Sequence, residues 1–145
     1  MKKQIGFTLI ELLVVIFIIS ILTGIGLVSF SGAQKQARDA ARRSDLGQYR
    51  NGLESYAANN GSVYPFSALA NAATLCDGST KPLYGYLASC LDDSDTSRHY
   101  RYQSNSAAIK YILYASLETS GYCYVCSTGR SAYLAIEPVL TINCL

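Results

Sequence analysis

The chain has 145 residues, half of them apolar and 15% charged, with a formal charge of +2; that is the length of one domain and too short for two sizeable cores. Lys2 and Lys3 account for the whole excess, since the remaining ten basic residues balance ten acidic ones. A nearly neutral body of this kind argues against a nucleic-acid binder, which needs a dense basic face.

Residues 1–6, MKKQIG, form a short basic leader. From 7 to 30 the only charge is Glu11. As a helix that run would measure roughly 36 Å at ~1.5 Å per residue, and a bilayer core takes about 20 such residues. An ordinary secretory signal fits poorly. The run exceeds the usual ~7–15 residues of an apolar signal region, no small-x-small site closes it, and a carboxylate sits near its start. A plain single-pass anchor reads Thr8-Leu9-Ile10-Glu11 as a capping box, the Thr8 hydroxyl and the Glu11 carboxylate satisfying the first free amides of a helix. That reading leaves Gly6 and Phe7, directly ahead of the box, without a role.

Residues 31–59 are rich in alanine and long polar side chains and contain no proline. Leu46, Tyr49, Leu53, Tyr56 and Ala57 recur at spacings of three and four, which is one helix face suited to lie on a sheet. Only scattered glycines separate this stretch from the apolar run, so the pattern predicts one long helix. Asn59-Asn60-Gly61, with Pro65 shortly after, reads as its stop. Residues 60–98 read as a loop-rich connector with a short helix near 67–75. Strand signals follow at 100–104, 109–117, 122–126 and 131–136, separated by turn residues such as Ser120-Gly121. In the second of these, Ile109, Tyr111, Leu113, Ala115 and Leu117 share a face. The expected fold is α+β: a long N-terminal helix whose apolar half belongs in a membrane or filament core, and whose amphipathic half packs on an antiparallel sheet of three or four strands. The layout is a leader (1–6), an apolar segment (7–30) and a globular head (31–145), the head made of helix (31–59), connector (60–98) and sheet with tail (99–145).

All five cysteines, Cys76, Cys90, Cys123, Cys126 and Cys144, fall in the head. Lys2 and Lys3 place that head outside the cytoplasm, where cysteines pair. Cys76 and Cys90 are expected to close the connector loop, and Cys144 to bond Cys126 or Cys123. The odd count leaves one thiol unpaired or paired between chains. Zinc or redox chemistry at Cys123-x-x-Cys126 fits poorly, because an offset of three along a strand points the two thiols to opposite faces.

Other signals are weaker. Lys35, Arg38, Arg42 and Arg43 form a basic stripe that reads as a solvated helix face paired with Asp39 and Asp45, or alternatively as a face for neighbouring subunits or lipid headgroups. Asp92, Asp93 and Asp95 read as a solvated turn; a calcium loop would need a glycine and a bidentate Glu at set spacing. His99, the only histidine, has no signal orienting it toward a thiol for nucleophilic catalysis. The alternating Tyr100, Tyr102, Tyr122 and Tyr124 read as sheet packing, with an exposed adhesive patch as the other option. No catalytic constellation, metal site or cofactor signature is present, so the chain reads as something other than an enzyme.

The sequence Lys2-Lys3-Gln4-Ile5-Gly6 followed by Phe7-Thr8-Leu9-Ile10-Glu11-Leu12-Leu13-Val14-Val15-Ile16 resembles the class III signal of type IV prepilins and type II secretion pseudopilins. That pattern is a basic leader ending in Gly, then Phe-Thr-Leu-Ile-Glu-Leu. A looser likeness runs to Tyr64-Pro65. The resemblance implies a pilin-like fold, cleavage between Gly6 and Phe7 by a prepilin peptidase, N-methylation of Phe7, and an assembly role for Thr8 and Glu11. The implied partners are identical or homologous pilin subunits, the peptidase, an inner-membrane assembly platform, and the membrane crossed once before assembly. The end state would be an extracellular pilus or a periplasmic pseudopilus. Many such subunits have a proline roughly twenty residues into the mature chain, where this chain has Val28; Ser20, Gly24 and Gly26 offer local helix weakness instead, a glycine costing about 1 kcal/mol in a helix interior.

The chemistry of Glu11 follows from its surroundings. A carboxylate in lipid costs ~2.5–3.5 kcal/mol on insertion scales. Cleavage after Gly6 would create an α-amine one turn away, and opposite charges attract far more strongly in a low dielectric than in water. Between chains, such a pair would fix the axial register of otherwise featureless apolar helices. Three functions remain open on sequence: a structural pilin, a pseudopilin, and a membrane-tethered binding protein that never polymerises.

Overall fold

The computed structural model describes residues 7–127, 129 and 131–138, without the side chains of 26–29 and 133. Gly6, Cys144 and the side chain of Val28 therefore lie outside the described residues. The chain forms two compact units, Met1–Gln36 and Ala37–Leu145.

One α-helix, α1, runs over Leu9–Asn59. Its C-terminus is closed as the Asn-Asn-Gly signal requires. Gly61 takes a left-handed φ of 68°, and the Ser62 amide donates back to the Ala57 carbonyl at 2.8 Å, the six-to-one bond of a Schellman cap. The connector contains the two-residue strand β1 (Ala70–Asn71) and a single 3-10 turn over Ala72–Leu75, where the sequence pattern predicts a short helix over 67–75. The turn is capped by Asn71, whose side chain accepts from the Ala73 amide at 3.0 Å.

Strands β2 (Arg101–Ser104), β3 (Tyr111–Ser116), β4 (Tyr122–Cys126) and β5 (Ser131–Leu134) follow. With β1 they make one five-stranded sheet in the order β1-β2-β3-β4-β5, antiparallel throughout. The fifth strand comes from the connector, where two residues are too few to show a period of two. The β3–β4 turn is held by the Leu117 amide on the Gly121 carbonyl at 2.9 Å. Gly121 has φ 68°, and a Cβ there would lie 2.1 Å from the Leu134 carbonyl oxygen, so no other residue fits.

The amphipathic face of α1 meets the sheet within the second unit. Leu46, Tyr49 and Leu53 are buried together with Tyr102, Tyr111, Leu113, Ala115, Cys123 and Val125. Burying a side chain the size of leucine is worth about 1.5–3 kcal/mol. Two residues of the predicted β3 face lie at its margin: Leu117 is half-buried and Ile109 is exposed. The other face of β3 is also covered, since Ile112 and Tyr114 are buried with Tyr124 and Cys126 against Tyr122 and Leu134. Tyr100, Tyr102 and Tyr124 are thus core residues, which overturns the exposed tyrosine patch.

Tyrosines carry hydroxyls into and around this core, and five of them on the α1 side find partners. Tyr49 donates to the Leu91 carbonyl at 2.6 Å, Tyr102 to the Pro65 carbonyl at 2.7 Å and Tyr100 to Asp45 at 2.7 Å. Tyr64 and Tyr111 share Glu54, at 3.0 and 3.2 Å. These bonds tie α1, the sheet and the connector together, and the connector adds Ala72, Leu75, Cys76 and Leu83 to the same buried core.

The basic stripe is only partly a solvated face: Lys35 and Arg43 are exposed, and Arg42 pairs with Asp39 as expected, but that pair is buried. Arg42 and Asp39 are each 1% exposed. The Arg42 guanidinium donates to Asp39 and Asp93 at 2.6 Å and to Glu118 at 2.9 Å. Arg38 adds a two-pronged pair to Glu118 at 2.6 and 2.7 Å. Asp39 also accepts from the Glu118 and Thr119 amides and the Thr119 hydroxyl at 2.9, 3.1 and 2.7 Å. A carboxylate so surrounded is satisfied without water, and among the described residues no buried side-chain polar atom lacks a partner. Asp45, read as a partner of the stripe, bonds Tyr100 instead.

Burial alone pushes the Asp39 carboxyl up, but the Glu118 and Thr119 donors and Arg42 outweigh it and bring it down to about 2. The hydrogen bonds from Arg38 and Arg42 hold Glu118 at about 2 as well. A carboxylate depressed on folding adds stability above its ordinary pKa and loses it as pH falls through the folded value. Stability should therefore be flat above about pH 5 and fall steeply between about pH 4 and pH 2. Asp39→Asn should cost stability near neutral pH, and its deficit should shrink by about 2 kcal/mol on going to pH 2. Thermal unfolding of both proteins across this range, followed by near-ultraviolet circular dichroism, checks it; a deficit independent of pH would refute the assignment.

Candidate functional site

The N-terminal segment is chemically simple. The large apolar side chains described from Phe7 to Ile25, and Phe30, are 46–84% exposed. The segment is long and apolar enough to cross a membrane, and none of its most apolar window is buried within the chain. Its polar groups are satisfied locally. The Ser20 and Thr23 hydroxyls donate to the carbonyls one turn back, Ile16 and Ile19, at 2.7 and 2.8 Å, as hydroxyls do in helices surrounded by lipid.

Thr8 and Glu11 close the helix start. The Thr8 amide and hydroxyl both donate to Oε2 of Glu11, at 2.8 and 2.7 Å, and the Glu11 amide donates to the Thr8 hydroxyl at 3.3 Å. This is a complete capping box. It occupies one carboxylate oxygen and leaves Oε1 without a hydrogen bond among the described residues. Phe7 is 84% exposed directly ahead of the box. The segment thus presents an apolar surface, one carboxylate at its end and an exposed aromatic residue before it.

A family model described as "Prokaryotic N-terminal methylation motif" matches residues 1–27. The chain carries the class III prepilin signal found in type IV pilins and pseudopilins. The signal marks a structural prepilin-type protein rather than an enzyme. It implies processing by a prepilin peptidase and assembly with other pilin subunits, and with the apolar helix it fits a chain anchored in the membrane before assembly. The long helix followed by an antiparallel sheet is an α+β layout like that of pilins. No curated protein and no solved structure matches the chain.

In the head, the other sequence candidates separate from one another. Cys76 and Cys90 form a disulfide with Cα atoms 5.6 Å apart. The Tyr49 hydroxyl lies 3.9 Å from Cys76 Sγ, so α1 abuts the staple. Cys123 is a free, buried thiol in the cluster under α1, and Cys126 sits in the cluster on the other face. Burial pushes the Cys123 thiol up, away from nucleophilic use. Cys126 is disulfide-bonded.

The acidic loop is not one site. Asp93 is a buried partner of Arg42, not part of a solvated turn. Asp92 accepts from Asn71 at 3.3 Å and lies 2.8 Å from His99 Nδ1. Asp95 accepts from the Ser97 amide and hydroxyl at 3.0 and 2.7 Å. The three carboxylates thus face three different sets of partners. Sequence reasoning missed the Arg42 cluster; its one local trace was the three-residue spacing of Asp39 and Arg42.

The count of five cysteines makes Cys144 the expected partner of Cys126. Peptide mapping of non-reduced protein should yield Cys76–Cys90 and Cys126–Cys144 peptides and one slowly alkylated thiol at Cys123. A linked peptide containing Cys123 would overturn this pairing.

Proposed function

We propose that this chain is the prepilin of a type IV pilus-like filament. Cleavage between Gly6 and Phe7 and methylation of Phe7 yield the mature subunit. It waits in the membrane as a single pass with its head outside, then polymerises through its N-terminal helix. An assembly platform in the inner membrane drives that step. The observation that carries the reading is the apolar flank of α1 around Glu11, whose side chains lie exposed along the segment. In a membrane, lipid covers it; in a filament, copies of the same segment do. The head's cysteine-stapled connector leads us to prefer a surface pilus to the short pseudopilus of protein secretion.

The role assigned to Glu11 is register. Within one chain its capping box is complete, so Glu11 adds little beyond a helix start. Between chains, its unbonded oxygen is available to the α-amine of an incoming Phe7. Such a contact forms only at one axial offset, whereas apolar contacts alone tolerate many.

Mass analysis of the mature protein from its native host should show loss of residues 1–6 and one added methyl. Gly6→Asp should retain the leader. A mature chain beginning near Gly32 or Ala33 would mean an ordinary secretory signal.

Glu11→Val should insert into the membrane at least as well as the natural protein, because the ~2.5–3.5 kcal/mol insertion cost of the carboxylate is removed. It should nevertheless be depleted in filaments sheared from the cell surface. The measurement is the ratio of sheared to membrane-bound subunit at matched expression, with Glu11→Asp expected between the two. If Glu11→Val reaches filaments as well as the natural chain, Glu11 is a capping residue only. Recovery of the assembled natural protein from the periplasm alone would favour the pseudopilin.

A further inference from the structure

The sheet face opposite α1 carries a polar cleft that the assembly reading does not use. Its floor follows from strand register. Arg101 of β2 stands beside Tyr114 of β3, and Ser116 of β3 stands opposite Tyr122 of β4. The loop before β2 adds Ser97, Arg98 and His99 at one wall, and Glu137 closes the other, around a cavity of about 220 Å3. That is smaller than the ~300–1,000 Å3 of clefts for drug-sized ligands, so a guest would be a single small unit.

The groups around it are prearranged and only partly used. The Arg101 side chain makes no hydrogen bond or ion pair among the described residues. Arg98 makes one exposed contact, to Asp95 at 3.3 Å. His99 is oriented through Nδ1 by Asp92, which leaves Nε2 for a ligand. Glu137 is fixed by the hydroxyl of Tyr114 on Oε1, with Oε2 unoccupied among the described residues. Tyr114 is buried and backs the half-exposed Tyr122 edge to face, their centroids 6.1 Å apart.

We propose that this cleft binds one unit of an acidic sugar, a pyranose ring bearing a carboxylate. Each part of that ligand meets a matching group. The carboxylate pairs with Arg101, whose planar fork suits two parallel hydrogen bonds. The ring hydroxyls donate to Glu137 Oε2 and exchange bonds with Ser116 and His99. The apolar edge of the ring rests on Tyr122, since an aromatic ring offers a flat apolar surface with a polar tip. Glu137 decides between this ligand and a bare anion. Its charge repels phosphate or acetate at the cleft, but the same oxygen becomes a hydrogen-bond acceptor for a ligand with hydroxyl groups.

The test uses the full chain, 15N-labelled in detergent micelles and titrated separately with glucuronate, glucose, acetate and inorganic phosphate. Glucuronate should produce saturable amide shifts confined to 97–101, 114–116 and 122. Glucose, acetate and phosphate should each bind at least ~10-fold more weakly, because each forfeits either the charge-assisted pair or the hydroxyl contacts. Arg101→Ala, at an exposed position, should weaken glucuronate ~10-fold or more. Glu137→Gln should weaken glucuronate while strengthening acetate, an inversion that a merely structural role would not produce. No saturable shift with glucuronate, equal binding of glucose, or unchanged affinity in Arg101→Ala would overturn the site. Equal binding of acetate and glucuronate would also overturn the sugar assignment, and would point to a carboxylate side chain of another chain as the guest.

Discussion

Arg42 places a permanent charge where water does not reach, and the head is arranged around that fact. Its three carboxylate partners lie 3, 51 and 76 residues away in sequence. One is on α1, one in the connector and one in the β3–β4 turn, so the guanidinium can be satisfied only when all three are in place. Removing one member of such a cluster strands the rest and typically costs about 3–5 kcal/mol. The cluster therefore acts less as a source of net stability than as a check on assembly of the head, because a partly folded head with Arg42 buried and unpaired is penalised.

The tyrosines extend the same logic. The connector sends Ala72, Leu75, Cys76 and Leu83 into the core under α1, but it has little regular structure to satisfy its own backbone groups, and the tyrosine hydroxyls supply some of those bonds. Phenol rings fill the core and send hydroxyls to the Leu91 and Pro65 carbonyls and to Asp45 and Glu54. Each bond reaches from packed elements toward loop or helix groups that need a donor. With the Cys76–Cys90 bond, this pins a long irregular segment at several points along its length. In small heads such staples supply what a modest core does not.

The apolar segment handles charge in the opposite way. Between 7 and 30 there is no arginine to answer Glu11, and its only described partner is Thr8, which supplies hydrogen bonds without charge. In the head, the buried carboxylates of Asp39, Asp93 and Glu118 are paired with arginines of the same chain. In the N-terminal segment, the one carboxylate has no cation within residues 7–30.

Local chemistry decided much of this protein from the sequence alone. The apolar run with its single carboxylate, the Thr8–Glu11 box, the Gly61 stop, the helix face through Leu46, Tyr49 and Leu53, and the strands from β2 to β5 all depend on residues within a few positions of one another, and periodicity or capping chemistry reads them directly. Tertiary structure alone decided the rest. A stripe of Arg38, Arg42 and Arg43 has the same spacing whether it faces water or carboxylates, and Asp93 looks like any loop aspartate until the fold brings it to Arg42. Likewise Arg101, His99 and Glu137 are scattered over nearly forty positions and meet only because β-sheet register sets Arg101 beside Tyr114 and Tyr114 reaches Glu137. Sequence fixes what each side chain can bond to, while long-range pairing in the sheet determines which partners come within reach.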